Sequence, residues 1–327
     1  MARFVAVGAG RMGRGIAIAF AYAGHRIALV DLRPRSGDAW QRLCDEARAE
    51  IRASLDGLAQ LGAFAGAEVD AIAGRVELVA ADGAAAALAA ADVVFEGVPE
   101  TMAAKREAFE QINRHCRDDA ILTSTTSSIL VTQLAELVQR PQRFLNMHWL
   151  NPAYLIPVVE LSTHATTDAA VVQRLRALME SIGKVPVLCG PTPGYIVPRL
   201  QALIMNEVAR MVEEGAATAE EIDKATRYGL GLRFAALGVV EFIDFGGSDI
   251  LHHASREMAA SIDPQRYAAP AIVGQMVAQG HLGLKTGSGF YDYAGRDIPA
   301  YRRDVLARIL DQLRHAGLWR APAAQQP

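Results

Sequence analysis

A glycine-rich turn near the start of the chain limits its possible folds more than any other feature. A short apolar run at residues 4–7 leads into Gly8-Ala9-Gly10-Arg11-Met12-Gly13, and a helix-like stretch from Gly15 to Ala23 follows. In such a GxGxxG turn the first glycine permits a tight turn, the second lets a pyrophosphate approach the backbone, and the third lets helix and strand pack closely. The free N–H groups at the helix start would face the phosphates. Because a glycine-rich turn alone is weak evidence, its flanking strand and helix carry the prediction of a dinucleotide site.

An acidic residue at the end of the next strand-like run strengthens this prediction. Asp31 follows Gly13 by 18 residues, close to the spacing of about 20 expected for a carboxylate that binds a ribose. A carboxylate repels the 2′-phosphate of NADP, so NAD is the predicted cofactor. Arg33 and Arg35 lie close enough to keep NADP as an alternative.

Strand-like and helix-like segments alternate along the first 190 residues, and residues 38–73 have a helical pattern. The strand-like runs are residues 4–7, 26–30, Val76–Val79, Val93–Glu96, Ile121–Ser124, Arg143–Met147, Val158–Leu161 and 184–187. This alternation is typical of a doubly wound α/β domain.

The pattern changes after the turn Pro191-Thr192-Pro193-Gly194. From about Pro198 the apolar residues recur at helical spacing. We therefore expect a Rossmann-like α/β domain over residues 1–190 and an all-α domain over 191–320, with a closing helix from Tyr301 to Leu313. We expect residues 321–327 to be a disordered tail.

Composition excludes several classes of function. The 327 residues carry a net charge of −3, which argues against a nucleic-acid partner. No apolar run reaches the roughly 18 residues of a membrane helix, and the run at residues 4–7 leaves no room for a signal peptide. The three cysteines have no CxxC spacing, so we expect no metal site and a cytoplasmic protein.

The segment Met147–Pro152 and Glu160 suggest acid–base chemistry. His148 stands at the end of one predicted strand and Glu160 lies on the next, so adjacent strands could bring them together. An imidazole held by a carboxylate makes a general base that works near neutral pH. Alternatively, His148 is structural and Glu160 is a buried structural acid.

Several segments, in order, resemble the L-3-hydroxyacyl-CoA dehydrogenases and their relatives over nearly the whole chain. These segments are Gly8–Ala17, Glu96–Lys105, Ser124–Ser128, His148–Glu160, Pro193–Val197, Glu221–Asp223 and Lys285–Tyr291. The resemblance implies that a hydroxyl is oxidised to a ketone with NAD. The alternatives are a 6-phosphogluconate-type dehydrogenase, for which the expected lysine after Pro193-Gly194-Tyr195 is missing, and a non-catalytic NAD-binding protein.

The resemblance also implies residue roles. His148 would be the general base and Glu160 its orienting partner, while Ser127 would bind the substrate oxygen and Asn151 would position nicotinamide and substrate. Ser127 could instead belong only to a loop and helix cap, and Lys105 could be a solvated helix residue. The implied cofactor-binding residues are Gly8, Gly10, Arg11, Met12, Gly13, Asp31, Glu100, Lys105 and Lys285.

Departures from the family pattern leave the substrate open. Pro198 and Thr125 stand where the family usually has asparagine, and residues 54–61 lack the lysines that help acyl-CoA members hold CoA. The segment 232–238 resembles relatives that oxidise free hydroxy acids such as gulonate or a hydroxymethyl pyridine acid. If this chain acts on such an acid, Arg233 would bind the substrate carboxylate. Alternatively, Arg233 is a surface or interface arginine.

A 3-hydroxyacyl-CoA such as 3-hydroxybutyryl-CoA is the default substrate, and a free hydroxy acid is the alternative. We also expect a homodimer formed through the helical domain.

Overall fold

The computed structural model describes residues 2–320; the predicted disordered tail lies outside them. The strands are β1 (Phe4–Val7), β2 (Ile27–Val30), β3 (Val76–Val79), β4 (Val93–Glu96), β5 (Ile121–Ser124), β6 (Phe144–Trp149), β7 (Val158–Ser162) and β8 (Val185–Cys189).

Helices separate most of the strands and make up most of the second half. They are α1 (Arg11–Tyr22), α2 (Gly37–Gln60), α3 (Val69–Ala73), α4 (Ala84–Ala89), α5 (Met102–His115), α6 (Val131–Ala135), α7 (Ala169–Ser181), α8 (Val197–Glu213), α9 (Ala219–Lys224), α10 (Leu232–Ala236), α11 (Val239–Gly246), α12 (Ser248–Ser261), α13 (Pro264–Tyr267), α14 (Ala271–Ala278) and α15 (Ile298–His315). Short 3-10 turns lie at Gly66–Glu68 and Pro141–Arg143, and a π-helical turn at Ala225–Gly231.

All eight strands form one sheet, in the order β3-β2-β1-β4-β5-β6-β7-β8. The strands β1 to β6 run parallel, β7 runs antiparallel to β6, and β8 runs parallel to β7. The strand order changes direction between β1 and β4, and such a switch point is where doubly wound sheets bind ligands. The predicted fold class, a Rossmann-like domain followed by helices, is therefore confirmed.

Both faces of the sheet are buried, which explains why its strands are continuous apolar runs. In β1, Phe4 and Ala6 pack in one core cluster with α1 and α7, while Val5 and Val7 pack in a second cluster with α4 and α5. The sheet therefore holds the carboxyl ends of its strands in a rigid frame.

Two local predictions need correction. The first helix begins at Arg11 rather than Gly15, because the glycines in its first turns pack closely and the fold overrides their low helix propensity. The helical stretch predicted over residues 38–73 is interrupted after Gln60, where Gly62 takes a φ of +80°. The chain then re-enters a short helix at Val69.

The chain divides into two compact units, Met1–Met205 and Asn206–Pro327, so the division falls within α8. The second unit contains α9 to α15 and no strand among its described residues. Across residues 2–320, no helix combines the length and apolar character needed to cross a membrane.

Candidate active site

The glycine turn lies at the switch point of the sheet. Gly8 has a φ of +101°, and a side chain there would bring its Cβ within 2.7 Å of the carbonyl oxygen of Gly97, which follows β4. A Cβ on Gly13 would overlap the carbonyl oxygen of Gly8. At Gly10, in contrast, no described atom lies within 4 Å of the position a Cβ would take. Gly8 and Gly13 are thus needed for packing, whereas Gly10 leaves an open cradle that fits a dinucleotide phosphate.

The start of α1 supplies further groups to this cradle. Arg11 and Met12 are its first two residues, and Arg11 is exposed. The unpaired N–H groups of a helix start favour an anion. The geometry is consistent with the predicted phosphate contacts of this turn.

Asp31 directly follows β2, beside the glycine turn, and is buried. The Arg35 guanidinium forms an ion pair with its carboxylate, and the backbone N–H of Arg33 donates to the same carboxylate at 3.3 Å. Of the two arginines considered in the NADP alternative, Arg35 therefore contacts Asp31 through its side chain, whereas Arg33 contacts it only through its backbone. The carboxylate stands where a ribose-binding acid is expected.

His148 and Glu160 form a buried pair across the antiparallel strands β6 and β7. They are direct partners in the register, and His148 Nδ1 lies 2.8 Å from Glu160 Oε2. His148 is 6% exposed and Glu160 is fully buried. Because the carboxylate accepts, Nδ1 carries the proton and Nε2 remains available as a base.

The second oxygen of Glu160 is held by the turn that precedes α8. Oε1 accepts the backbone N–H groups of Ile196 at 2.9 Å and Val197 at 2.8 Å. These donors at a helix start stabilise the negative charge. Glu160 is thus fixed on both sides.

Glu100 organises the loop that carries Ser127. Its Oε1 accepts the N–H groups of Ser127 and Ser128, both at 2.9 Å, and the hydroxyls of Thr126 and Ser128. Burial acts to raise the pKa of Glu100, but the hydrogen bonds from Thr126 and Ser128 and the charge of Lys105 outweigh it and hold the pKa below its ordinary value. Ser127 is exposed at this edge.

Lys105 is completely buried on α5. Its Nζ lies 3.0 Å from both carboxylate oxygens of Glu96, 3.3 Å from Ser124 Oγ and 3.7 Å from Glu100 Oε2. The interpretation of Lys105 as a solvated helix residue is therefore wrong. Its contact with the cofactor stays a prediction, since the structure gives it acidic partners beneath the site.

Asn151 lies exposed on the loop between β6 and β7. Within this loop Ala153 packs against α1, where a Cβ on Gly15 would come within 3.1 Å of it. The loop that carries Asn151 therefore lies against the helix that begins at the cofactor cradle.

Models of one family match the chain in both parts. The model of the 3-hydroxyacyl-CoA dehydrogenase NAD-binding domain matches residues 4–192, and that of the C-terminal domain matches residues 194–293. The chain belongs to the 3-hydroxyacyl-CoA dehydrogenase family. It is accordingly an NAD-dependent oxidoreductase that acts on CH–OH groups.

Relatives within and around this family differ in substrate. A probable 3-hydroxybutyryl-CoA dehydrogenase of Bacillus subtilis is 31% identical over 89% of the chain and 97% of that protein. A 5-formyl-3-hydroxy-2-methylpyridine 4-carboxylate 5-dehydrogenase of Mesorhizobium japonicum is 28% identical over 93% of the chain and 94% of that protein. The crystal structure of a 3-hydroxyacyl-CoA dehydrogenase of Archaeoglobus fulgidus has a TM-score of 0.74 at 28% identity and covers 98% of this chain and 100% of that one.

The structure describes the surroundings of two departures from the family pattern, Pro198 and the stretch 54–61. Pro198 lies in the first turn of α8, where a proline fits because the N–H groups there have no helical partner. Arg52, the cation beside the lysine-free stretch 54–61, pairs with Asp56 and Asp70. The charge of Arg52 is therefore largely balanced by acids of α2 and α3.

The second unit contains the two remaining predicted residues of this dehydrogenase. Lys285 Nζ lies 2.8 and 2.9 Å from the two carboxylate oxygens of Asp249. Arg233 is exposed, and its guanidinium lies 5.7 Å from the ring centre of Phe242. Their contacts with cofactor and substrate stay predictions.

The sequence assigned no role to four residues that are buried in the first unit. They are Tyr195, Asn146, Thr126 and Glu96.

Proposed function

We propose that the chain oxidises the hydroxyl of an L-3-hydroxyacyl group to a ketone, reversibly, with His148 as the general base and Glu160 as its partner. The 2.8 Å contact between His148 Nδ1 and Glu160 Oε2 carries this proposal. When bound, NAD accepts the hydride from the carbinol carbon. His148 Nε2 takes the hydroxyl proton, and the Glu160 carboxylate stabilises the imidazolium that results.

The loop residues complete the proposed chemistry. The hydroxyl of Ser127 would donate to the substrate oxygen as charge develops there, because Glu100 holds its backbone at the site edge. Asn151 would orient nicotinamide and substrate from the neighbouring loop. Glu100 and Lys105 would support the ribose side, and Lys285 would reach the cofactor.

The variant His148→Gln tests the mechanism. We expect kcat to fall by about 10²- to 10⁴-fold, the usual contribution of a positioned base, while NADH still binds. His253→Gln, which changes an exposed histidine, serves as the matched control. Wild-type turnover in H148Q with tight NADH binding would overturn the mechanism.

A 3-hydroxyacyl-CoA such as 3-hydroxybutyryl-CoA is the proposed default substrate. The relatives named as 3-hydroxybutyryl-CoA dehydrogenases support it, since that of Mycobacterium tuberculosis is 33% identical over 88% of the chain.

A free hydroxy acid is the second candidate, and a specific observation favours it. CoA is polyanionic and needs cations, yet Arg52 pairs with Asp56 and Asp70. Arg233 would then bind the substrate carboxylate, in line with the relative that acts on a pyridine carboxylate.

Steady-state kinetics with NAD separate the two candidates. The comparison uses 3-hydroxybutyryl-CoA, free 3-hydroxybutyrate and larger hydroxy acids, each with wild type and Arg233→Gln. A CoA enzyme has the higher kcat/KM with the thioester and is insensitive to R233Q. A hydroxy-acid enzyme has the higher kcat/KM with a free acid, and its KM for that acid rises in R233Q. NADH binding without oxidation of any of these compounds would favour a non-catalytic NAD-binding protein.

We further propose that the second unit forms a homodimer. The proposal rests on the many large apolar side chains of this unit that are exposed and could be covered by a second copy; they are Val212, Tyr228, Val239, Val240, Ile250, Ile262, Ile272, Tyr291 and Leu306. Light scattering at micromolar concentration should give a mass near twice 35.1 kDa. A monomer at that concentration would contradict the proposal.

A further inference from the structure

The aromatic ring of Tyr195 covers one face of the His148 imidazole. The two ring centres lie 4.8 Å apart and the planes differ by 14°. Tyr195 is 5% exposed, so this contact is shielded from water. An imidazole bound at Nδ1 can still rotate about its side-chain bonds, and a flat surface against its face limits that rotation.

The backbone of Tyr195 adopts a conformation that side chains rarely take. Its φ is +46°, the only positive value of a non-glycine residue among residues 2–320, and it follows Gly194 at +75°. Such outliers persist where the surrounding structure requires them and gather at functional sites. The turn directs the tyrosine ring to His148, and the next two backbone amides, of Ile196 and Val197, to Glu160. One short segment therefore contacts both members of the pair.

The hydroxyl of Tyr195 fixes the ring at its far end. It donates to the carbonyl oxygen of Thr126 at 2.7 Å and accepts from Asn146 Nδ2 at 3.1 Å. Thr126 directly precedes Ser127 in the loop after β5, and Asn146 lies two residues before His148 on β6. The tyrosine thus links the base, its strand and the loop beside it.

The phenol itself is unsuited to proton transfer. Burial is the main cause that raises the pKa of Tyr195 far above its ordinary value. The group therefore keeps its proton and serves as a donor and a packing surface.

We propose that Tyr195 is a positioning residue whose ring holds the His148 imidazole so that Nε2 faces the substrate hydroxyl. The electron-rich ring face also favours the positive charge that His148 gains when it takes the proton. This inference rests on the proposed role of His148 as base. It assigns to Tyr195 an effect on the rate of the chemical step rather than on cofactor binding.

Three substitutions separate the ring from the hydroxyl. Tyr195→Phe keeps the ring, whereas Tyr195→Leu and Tyr195→Met keep an apolar side chain without a flat surface. Two non-aromatic variants are included because the test can be made if either one of them folds. Tyr22→Leu, which removes an exposed tyrosine ring from the far end of α1, is the control for loss of a tyrosine.

We expect Y195F to keep at least half of the wild-type kcat. Y195L or Y195M should lose about 10- to 100-fold in kcat, the scale of a misplaced catalytic group, with NADH affinity unchanged within twofold. In the H148Q background, Y195L should cause little further loss, because residues that act as a unit are not additive. A merely structural role would lower activity in both backgrounds.

Several outcomes would overturn the inference. The first is a Y195L that folds and binds NADH but has a kcat within twofold of wild type. The second is a Y195F whose kcat is as low as that of Y195L. The third is a loss of kcat from Y195L that is as large in the H148Q background as in wild type. Wild-type activity in H148Q would instead refute the proposed mechanism, whereas an inactive H148Q with a fully active Y195L would refute only the role of Tyr195.

Discussion

Glu160 binds His148 with one carboxylate oxygen and the amides at the start of α8 with the other. The carboxylate therefore connects the proposed base to a helix start, and its position depends on both contacts. A change in Glu160 should affect the rate more than substrate binding.

The variant Glu160→Gln keeps the size of the side chain but removes its charge. The amide cannot stabilise an imidazolium as the carboxylate does. We expect kcat to fall by about 10²- to 10⁴-fold, measured by steady-state kinetics with NAD. Glu77→Gln on β3, which changes an exposed acid, should stay at wild-type rate. A kcat for E160Q within threefold of wild type would contradict the proposed partnership.

Substitutions in the glycine turn should separate cofactor binding from stability. Gly10→Ala places its methyl group in open space, so folding should be unchanged while NADH affinity falls, because the pyrophosphate approaches the backbone there. Gly13→Ala overlaps the carbonyl of Gly8 and should lower the thermal unfolding temperature. Thermal unfolding and NADH fluorescence titration measure the two effects. The assignment fails if G10A binds NADH like wild type.

The ion pair of Lys105 and Glu96 should be sensitive to the loss of one partner. Both side chains are fully buried, and Lys105→Met leaves the carboxylate without its cation. We expect the free energy of unfolding to fall by about 3–5 kcal/mol, measured by urea denaturation.

Two further variants check this reasoning. The double variant E96L/K105M should recover part of the loss, because no charge remains buried. Lys224→Met, which breaks an exposed pair, should have little effect on the free energy of unfolding. A K105M as stable as wild type would argue against a structural role of the buried pair.

Glu100 should make stability depend on pH on the acid side. Its pKa is lower in the folded chain than its ordinary value, so the ionised carboxylate stabilises the fold above about pH 4.3. That contribution is lost as the pH falls through the folded pKa. The difference in free energy of unfolding between wild type and Glu100→Gln should therefore be largest near pH 7 and shrink below about pH 4. Urea denaturation at several pH values measures it, and a difference independent of pH would count against the assignment.

Most of the fold follows from apolar periodicity. Short runs buried on both faces and a glycine turn between strand and helix predict a doubly wound sheet, and six of its strands run parallel. The direction of β7 does not follow, because a short apolar run looks the same in either direction. His148 and Glu160 lie opposite each other because of the direction of β7 and its register with β6.

The buried polar contacts were harder to predict. Lys105 meets Glu96 and Ser124 only because β4 and β5 pair with those two residues opposite each other, and sequence spacing does not reveal this register. The ring position of Tyr195 depends on the sign of one backbone angle in a turn. Such a conformation comes from the packing of the turn against the sheet rather than from residue propensity.

The position of β1 in the middle of the sheet also affects how the chain emerges during synthesis. Val5 pairs with Val94 of β4, which is made about 90 residues later. At about 5–20 residues per second on the ribosome, one edge of β1 stays open for roughly 5–20 s. During that interval the nascent strand exposes hydrogen-bonding groups that can pair with another chain until β4 arrives.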